Sequence, residues 1–422
     1  MNIRTQEEAM TTRFAFVPVV PPFVGAHQEE AVVAEYAAAL AARGGERQDP
    51  GGLTGEAPLF YLVATGGTEG VTMDLRAART ATAPREPVFL IAHPGNNSLP
   101  ASLEVLARLQ RDGTRGRIFY LSGPGDADGL AAIERAAEDL TVHAALAAAR
   151  IGLVGDPSDW LVASMPTAEV VREVWGPQII DVPMSELMAR LQSAAAEPSP
   201  ASAAVLAAAA SGVVEPTDGD IEAAARVYEA LQRLVRDHRL DAVTIRCFDL
   251  VLESRTAGCF ALSELTDEGI IAGCEGDLVS TVGLLWSRLL TGQTPWMANP
   301  AQIDESANAL WLAHCTVPRS LVAQYRLRSH FESGLGVGIQ GVLPNGPVTL
   351  VRIGGARMEQ LWLAEGEIVE SGNSENLCRT QARVHLMRGH VSELLRFPLG
   401  NHVVLVPGHH GDRLRGYWEA LV

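Results

Sequence analysis

The chain has 422 residues, 47 % of them hydrophobic and 20 % charged, which is ordinary for globular domains with sizeable cores. Its net charge of −17 and the lack of a basic stripe argue against a nucleic-acid partner and leave small or cationic ligands, or a divalent metal. Cys247, Cys259, Cys274, Cys315 and Cys378 are odd in number and without CxxC spacing, which argues against a disulfide framework or a zinc finger and fits a reducing cytoplasm.

The opening MNIRTQEEAMTTRF is polar and acidic, unlike a signal peptide. No apolar run reaches the ~18 residues of a membrane span. A soluble, cytoplasmic protein is expected, with no membrane partner.

RFAFVPVV (13–20) reads as a strand, and the alanine-rich helix after it ends at Gly44 and Gly45. PLFYLVATGGTEG (58–70), EPVFLIAHPGNNSLP (86–100) and RIFYLSGPGD (117–126) are apolar strands that run into turns. Continuous apolar strands alternating with helices indicate a parallel sheet covered on both faces. The pattern restarts at ARIGLVGDPSDWLVAS (149–164) and continues through PQIIDVPMSELMARLQ, where Ser185 is a plausible N-cap. Residues 193–212 are almost wholly Ala, Ser and Pro and read as a helix with frayed ends, a flexible linker being the alternative. DIEAAARVYEALQRLVRDHRL reads as a helix, and DAVTIRCFDLVLES (241–254) as a buried strand and its end.

After Pro318 the character changes. GVGIQGVL, GPVTLVRIGG, EQLWLAEGEIVESG, ARVHLMRG and GNHVVLVPG are short alternating stretches parted by Gly, Asn and Pro. The expected architecture is α/β: a Rossmann-like doubly wound domain over 1–148, a second over 149–317 carrying an acidic motif, and a β-rich, barrel-like domain over 318–422.

Ligands on open α/β sheets bind outside the carboxyl ends of the strands. Thr65, Glu69, His93, Asn96 and Asn97 fall at such ends and suit sugar hydroxyls, although tight βα turns explain GDPSDW and ATGGTEG equally well. Neither turn is a nucleotide-binding fingerprint. Of the 11 histidines, seven lie from His314 onward, so chemistry is expected in the second half.

CEGD (274–277) follows an apolar run. Glu275 and Asp277 either cap a solvated helix N-terminus or hold a hard cation such as Mn²⁺ or Mg²⁺. RCFDLVLES offers Asp249 and Glu253, and a second acid near one metal can move a proton while the first anchors the ion. His314 in LAHC is either a ligand or a satisfied core histidine. His330 and Glu332 precede a Gly-rich strand and are candidates to face substrate. Arg379 in LCRT is a candidate clamp for an anionic or polyhydroxy substrate. In GNHVVLVPGHHGD, His402 lies beside the turn at Asn401, where ligands commonly sit, and His409 and His410 follow in a loop. Cys315 beside His314 raises a thiol enzyme as a minor alternative.

CEGD after a strand, AHC about forty residues later and a C-terminal GNH together resemble the L-fucose/L-arabinose isomerase superfamily, nearest its shorter fucose isomerase-like members. The usable motifs span about residues 245–410. The resemblance implies two Rossmann-like domains followed by a barrel-like one. It also implies an aldose–ketose isomerase that works through an enediol on Mn²⁺, or a related ion such as Mg²⁺ or Co²⁺. Arabinose isomerases use the glutamate of their EGD, here Glu275; fucose isomerases use an aspartate two residues later, here Asp277. His314 resembles the histidine of the arabinose enzymes' AHxLE, and His402 the C-terminal histidine ligand of both. RCFDL stands where fucose isomerases carry a KCxPE-like stretch, so Asp249 and Glu253 both remain candidates for the first acid beside Asp277. His330, Glu332, Arg379 and Asn401 are the expected sugar contacts. The resemblance further implies a homo-oligomer, trimeric or hexameric. The alternative is a sugar-binding or regulatory protein on the same fold without turnover.

Overall fold

The computed structural model describes residues 14–21, 26–53, 57–193 and 207–422, side chains of 26–32 excepted. Most of the expected 193–212 helix lies outside the described residues. The chain divides into two compact units, Met1–Ala144 with Gly416–Val422, and Ala145–Arg415. No described helix is long and apolar enough to cross a membrane.

The first unit is built on a five-stranded parallel sheet of order β2-β1-β3-β4-β5. Its strands are β1 (Phe14–Val19), β2 (Gly45–Arg47), β3 (Leu59–Val63), β4 (Val88–Ala92) and β5 (Gly116–Tyr120). Helices α1 (Ala26–Ala41), α2 (Glu69–Thr80), α3 (Ser98–Arg111) and α4 (Ala127–Ala148) alternate with them. β1, β3 and β4 are buried at every position, because both faces of the sheet are covered. One face collects Val17, Val63, Leu90 and Val105; the other stacks Phe14, Phe60, Phe89 and Phe119 edge to face. His93 is buried here, with Nε2 on the Ala64 carbonyl at 3.1 Å and its ring stacked on Tyr36. It is a satisfied core histidine within this unit. Asn96 and Asn97 hold the left-handed turn before α3.

The second unit holds a parallel sheet of order β7-β6-β8-β9, formed by β6 (Arg150–Val154), β7 (Gln178–Val182), β8 (Ala242–Ile245) and β9 (Ile271–Gly273). Helices α5 (Ala168–Val174), α6 (Met184–Gln192) and α7 (Asp218–His238) lie between these strands. Thr217 and Asp220 start α7 with a reciprocal capping box. Pro183 is the N-cap of α6, so Ser185 sits inside its first turn rather than capping it. The run read as a strand through 254 breaks at Ile245. Cys247–Ser254 is helix α8, followed by α9 (Cys259–Asp267).

A closed antiparallel barrel, β10-β11-β16-β15-β14-β17, completes the unit. Its strands are β10 (Trp296–Asp304), β11 (Ala309–His314), β14 (Gly346–Gly354), β15 (Gln360–Ser371), β16 (Thr380–Arg388) and β17 (Val403–Pro407). β12 (Gln324–Arg328) and β13 (Gly338–Val342) pair as a separate ribbon. The barrel thus takes two strands from before Pro318. Helix α10 (Leu278–Thr291) packs against β8 and β9 and also against β10, β14 and β17. Held between sheet and barrel, it is buried almost all round, which matches its sequence LVSTVGLLWSRLLT. The N-terminus of this helix carries the acidic motif.

Candidate metal centre

The motif AGCEGDLVS forms the turn from β9 into α10. Glu275 and Gly276 both take left-handed backbone, with φ of 63° and 70°. At Gly276 a Cβ would stand 2.7 Å from the Pro157 Cα, so only glycine lets the turn pass the loop after β6. A left-handed glutamate is costly and occurs where surrounding structure enforces it. Here the Ser158 amide donates to the Glu275 carbonyl at 2.8 Å.

Asp277 is the N-cap of α10. It accepts from the Ser280 amide at 2.8 Å and the Ser280 hydroxyl at 2.7 Å. Arg352, on β14, reaches the same place. Its Nη1 lies 3.4 Å from Asp277 Oδ2 and donates to Ser280 Oγ at 2.6 Å, while Nη2 donates to Ser164 Oγ at 2.5 Å.

His402, just before β17, is fully buried. Its Nδ1 is 2.9 Å from Asp277 Oδ2, and its Nε2 faces Glu275 Oε1 at 3.6 Å. His314 ends β11; its Nδ1 bonds Thr316 Oγ1 at 2.8 Å, and its ring stands edge-to-face to His402 at 5.6 Å. One donor atom each from Glu275, His314 and His402 fall within 4.8 Å of one another, the one such group among the described residues.

The electrostatics follow from burial and pairing. Burial disfavours charge on Asp277, but the Arg352 guanidinium, His402 and the Ser280 amide outweigh it and hold the carboxyl well below the usual range. Burial also works against charge on Glu275, and His402, Trp160 and His314 again reverse the balance and lower its pKa. For His402, burial opposes protonation, yet the hydrogen bonds and charges of Asp277 and Glu275 raise its pKa to about 9. For His314, burial and the neighbouring His402 outweigh the pull of Cys315 and Glu275 and push its pKa down to about 4.

Two imidazoles and one carboxylate form a donor set suited to Mn²⁺, Co²⁺, Zn²⁺ or Fe²⁺. The rings are turned for it. Nδ1 of His402 is engaged by Asp277 and Nδ1 of His314 by Thr316, and Nε2 of His402 faces Glu275. A carboxylate behind a histidine, as Asp277 stands behind His402, is the usual outer support of a metal-bound imidazole.

Of the other expected residues, Asp277 stays outside the three-residue group, because its oxygens are taken by Ser280, His402 and Arg352. Asp249, in the first turn of α8, pairs with Arg246 at 3.2 Å. Both line a cavity of about 470 Å³ with Gly155, Asp156, Asp181 and Met184, at the ends of β6, β7 and β8. Glu253 is exposed on the same helix. Asn401 is exposed, with its amide 3.5 Å from His402 Nε2. His330 is buried, bonded to Ser333 and edge-on to Phe248. Glu332 is exposed. Arg379 is buried and engaged by Ser329 and Glu375, with its guanidinium over Phe331. Cys315 is 2 % exposed and packs with Ala257 and Cys259. His409 and His410 bond backbone carbonyls of Gly366 and Pro407.

Sequence reasoning missed Arg352, which sits in an ordinary barrel strand and carries no local signal. It also missed Trp160, whose indole donates to Glu275 Oε2 at 2.5 Å. The signal for Trp160 was present, as a tryptophan in the polar turn GDPSDW.

No family model matches the chain. It is similar to the sulfoquinovose isomerase of Alkalicoccus urumqiensis, 29 % identical over 143 residues, or 32 % of each chain. It is also similar to the sulfoquinovose isomerases of Priestia aryabhattai and Priestia megaterium, 26 % identical over 129 residues, or 29 % of each chain. The matched stretches span about a third of these relatives' length.

Proposed function

We propose that the chain is a divalent-metal-dependent aldose–ketose isomerase acting on a sugar, with sulfoquinovose the first substrate to test. The carrying observation is the convergence of Glu275, His314 and His402, with Asp277 behind His402. Three curated relatives named as sulfoquinovose isomerases support the class of reaction, as does the resemblance of CEGD, AHC and GNH to fucose and arabinose isomerase motifs.

In this reading Glu275, His314 and His402 would hold the ion. A divalent cation bound there would supply Lewis-acid polarisation of the sugar carbonyl. Asp277 acts through His402: it fixes the ring's orientation and keeps Nε2 aimed inward. Of the two acids on α8, Asp249 is half-buried and Glu253 is exposed, so we assign Asp249 the proton transfer between C1 and C2. His330, Arg379 and Asn401 remain the proposed sugar contacts, and Glu332 a contact at the outer edge. Mn²⁺ is the proposed ion and a trimer or hexamer the proposed assembly.

The test is conversion of sulfoquinovose, followed by NMR, with chelator and after restoring Mn²⁺, and then with fucose and arabinose. Turnover that disappears with chelator and returns with the ion is expected. Turnover indifferent to chelator would overturn the metal-dependent reading. The pairing of Asp249 with Arg246 favours a second reading, a sugar-binding protein without turnover. It requires sugar-dependent thermal stabilisation with no product.

A further inference from the structure

Trp160 is unusual in being both half-exposed and firmly bonded. It is 49 % exposed, in the loop after β6. Its Nε1 donates to Glu275 Oε2 at 2.5 Å. Its ring stands edge-on to Phe248 at 4.8 Å, and Phe248 stands edge-on to His330 at 5.4 Å. The same loop holds Glu275 at one further point and crowds its neighbour Gly276. The Ser158 amide holds the Glu275 carbonyl, and Pro157 and Asp156 lie so close to Gly276 that no side chain fits there. Arg246 fastens the loop from below, with Nη1 on the Pro157 carbonyl at 2.6 Å and Nη2 on Asp159 at 3.0 Å.

A carboxylate on a flexible side chain can present either oxygen, or both, to a cation. Glu275 has lost that freedom. Oε2 is committed to the indole, and Oε1 alone faces His402 Nε2, at 3.6 Å. An indole N–H only donates, so this bond fixes the orientation of the carboxyl group and competes with a two-oxygen grip on the ion.

We propose that Trp160 is a positioning residue that fixes Glu275 as a single-oxygen donor, and that its exposed face is a platform for the apolar C–H face of the sugar. The proposal rests on the metal-binding reading above. Aromatic rings suit such a platform because they bury much area at little entropic cost. The row Trp160–Phe248–His330 extends the platform from Glu275 toward a residue already assigned to the sugar.

The test uses the full chain, stripped of metal and titrated with Mn²⁺ by calorimetry, beside steady-state kinetics. Trp160→Phe keeps a ring and loses the N–H; Trp160→Ala loses both. Trp160→Phe is expected to weaken Mn²⁺ binding about 10-fold or more, the usual effect of removing an outer partner of a ligand. At saturating Mn²⁺ its KM should stay near wild type. Trp160→Ala is expected to weaken Mn²⁺ equally and to raise KM several-fold as well. Unchanged melting temperatures would separate these effects from misfolding. Wild-type Mn²⁺ affinity in Trp160→Phe would overturn the positioning role, and an unchanged KM in Trp160→Ala the platform. A wild-type chain that binds no Mn²⁺ would instead overturn the metal reading itself.

Discussion

His402 Nδ1 donates to Asp277 Oδ2 at 2.9 Å, and neither side chain is exposed to solvent. Arg352 Nη1 lies 3.4 Å from the same Oδ2. Asp277 therefore serves three elements at once: it caps α10, neutralises a barrel arginine and orients a histidine.

Asp277→Asn should show these roles together. Asparagine still caps a helix, so α10 keeps its start. The charge is lost, which leaves Arg352 buried without its counter-ion and costs about 3–5 kcal/mol. The imidazole also loses its anionic partner, so Mn²⁺ affinity should fall roughly 10–100-fold. Denaturant melts and calorimetry check both. Wild-type values in both would show that the buried triad is idle.

The metal-free chain should have a bell-shaped pH dependence of stability. His314 is held near 4, below the unfolded value of about 6.5. Its contribution is present above pH 6.5 and is lost as pH falls through 4. His402 is raised to about 9. Its contribution is present below pH 6.5 and is lost as pH rises through 9. Melts in chelator from pH 4 to 9 should peak near 6.5, and His402→Asn should remove the alkaline decline. A decline that survives in His402→Asn would assign it to other groups.

Gly276→Ala should destabilise the chain and weaken metal binding. The added Cβ meets the Pro157 Cα at 2.7 Å and requires a left-handed alanine. A loss of about 1–3 kcal/mol is expected. Thermal melts with and without Mn²⁺ measure it, and an unchanged melting temperature would mean that the loop yields freely.

The strands were legible because continuous apolar runs such as LFYLV and VFLIA are buried on both faces. The helix at 247–254 was not. CFDLVLES is short and apolar, and periodicity does not separate such a run from a strand. The barrel strands β10 and β11 were hidden for a related reason, since their sequence reads as more of the domain before them. At the site, CEGD announced its two acids but not their division of labour. That division depends on Arg352, 75 residues further on, and on the backbone turn that sends Glu275 one way and Asp277 the other. Contacts of this kind are set by topology and leave no local pattern.

Asp249→Asn should separate proton transfer from metal binding. It lines the cavity beside Arg246, outside the Glu275–His314–His402 group. A fall in kcat of about 100-fold or more is expected with Mn²⁺ affinity unchanged, while Glu253→Gln should behave as wild type. Full activity in Asp249→Asn would move the proton-transfer role elsewhere.

The most direct measurement is a titration of metal-stripped protein with Mn²⁺, with the free ion read by electron paramagnetic resonance, in wild type and in His314→Gln. His314 is buried, and the one hydrogen bond of its ring among the described residues is to the neutral Thr316 hydroxyl, so its glutamine variant should fold. Uptake of one Mn²⁺ per chain in wild type, lost in His314→Gln, is the expected result. No uptake by wild type, or equal uptake by both, would contradict a metal centre built from Glu275, His314 and His402.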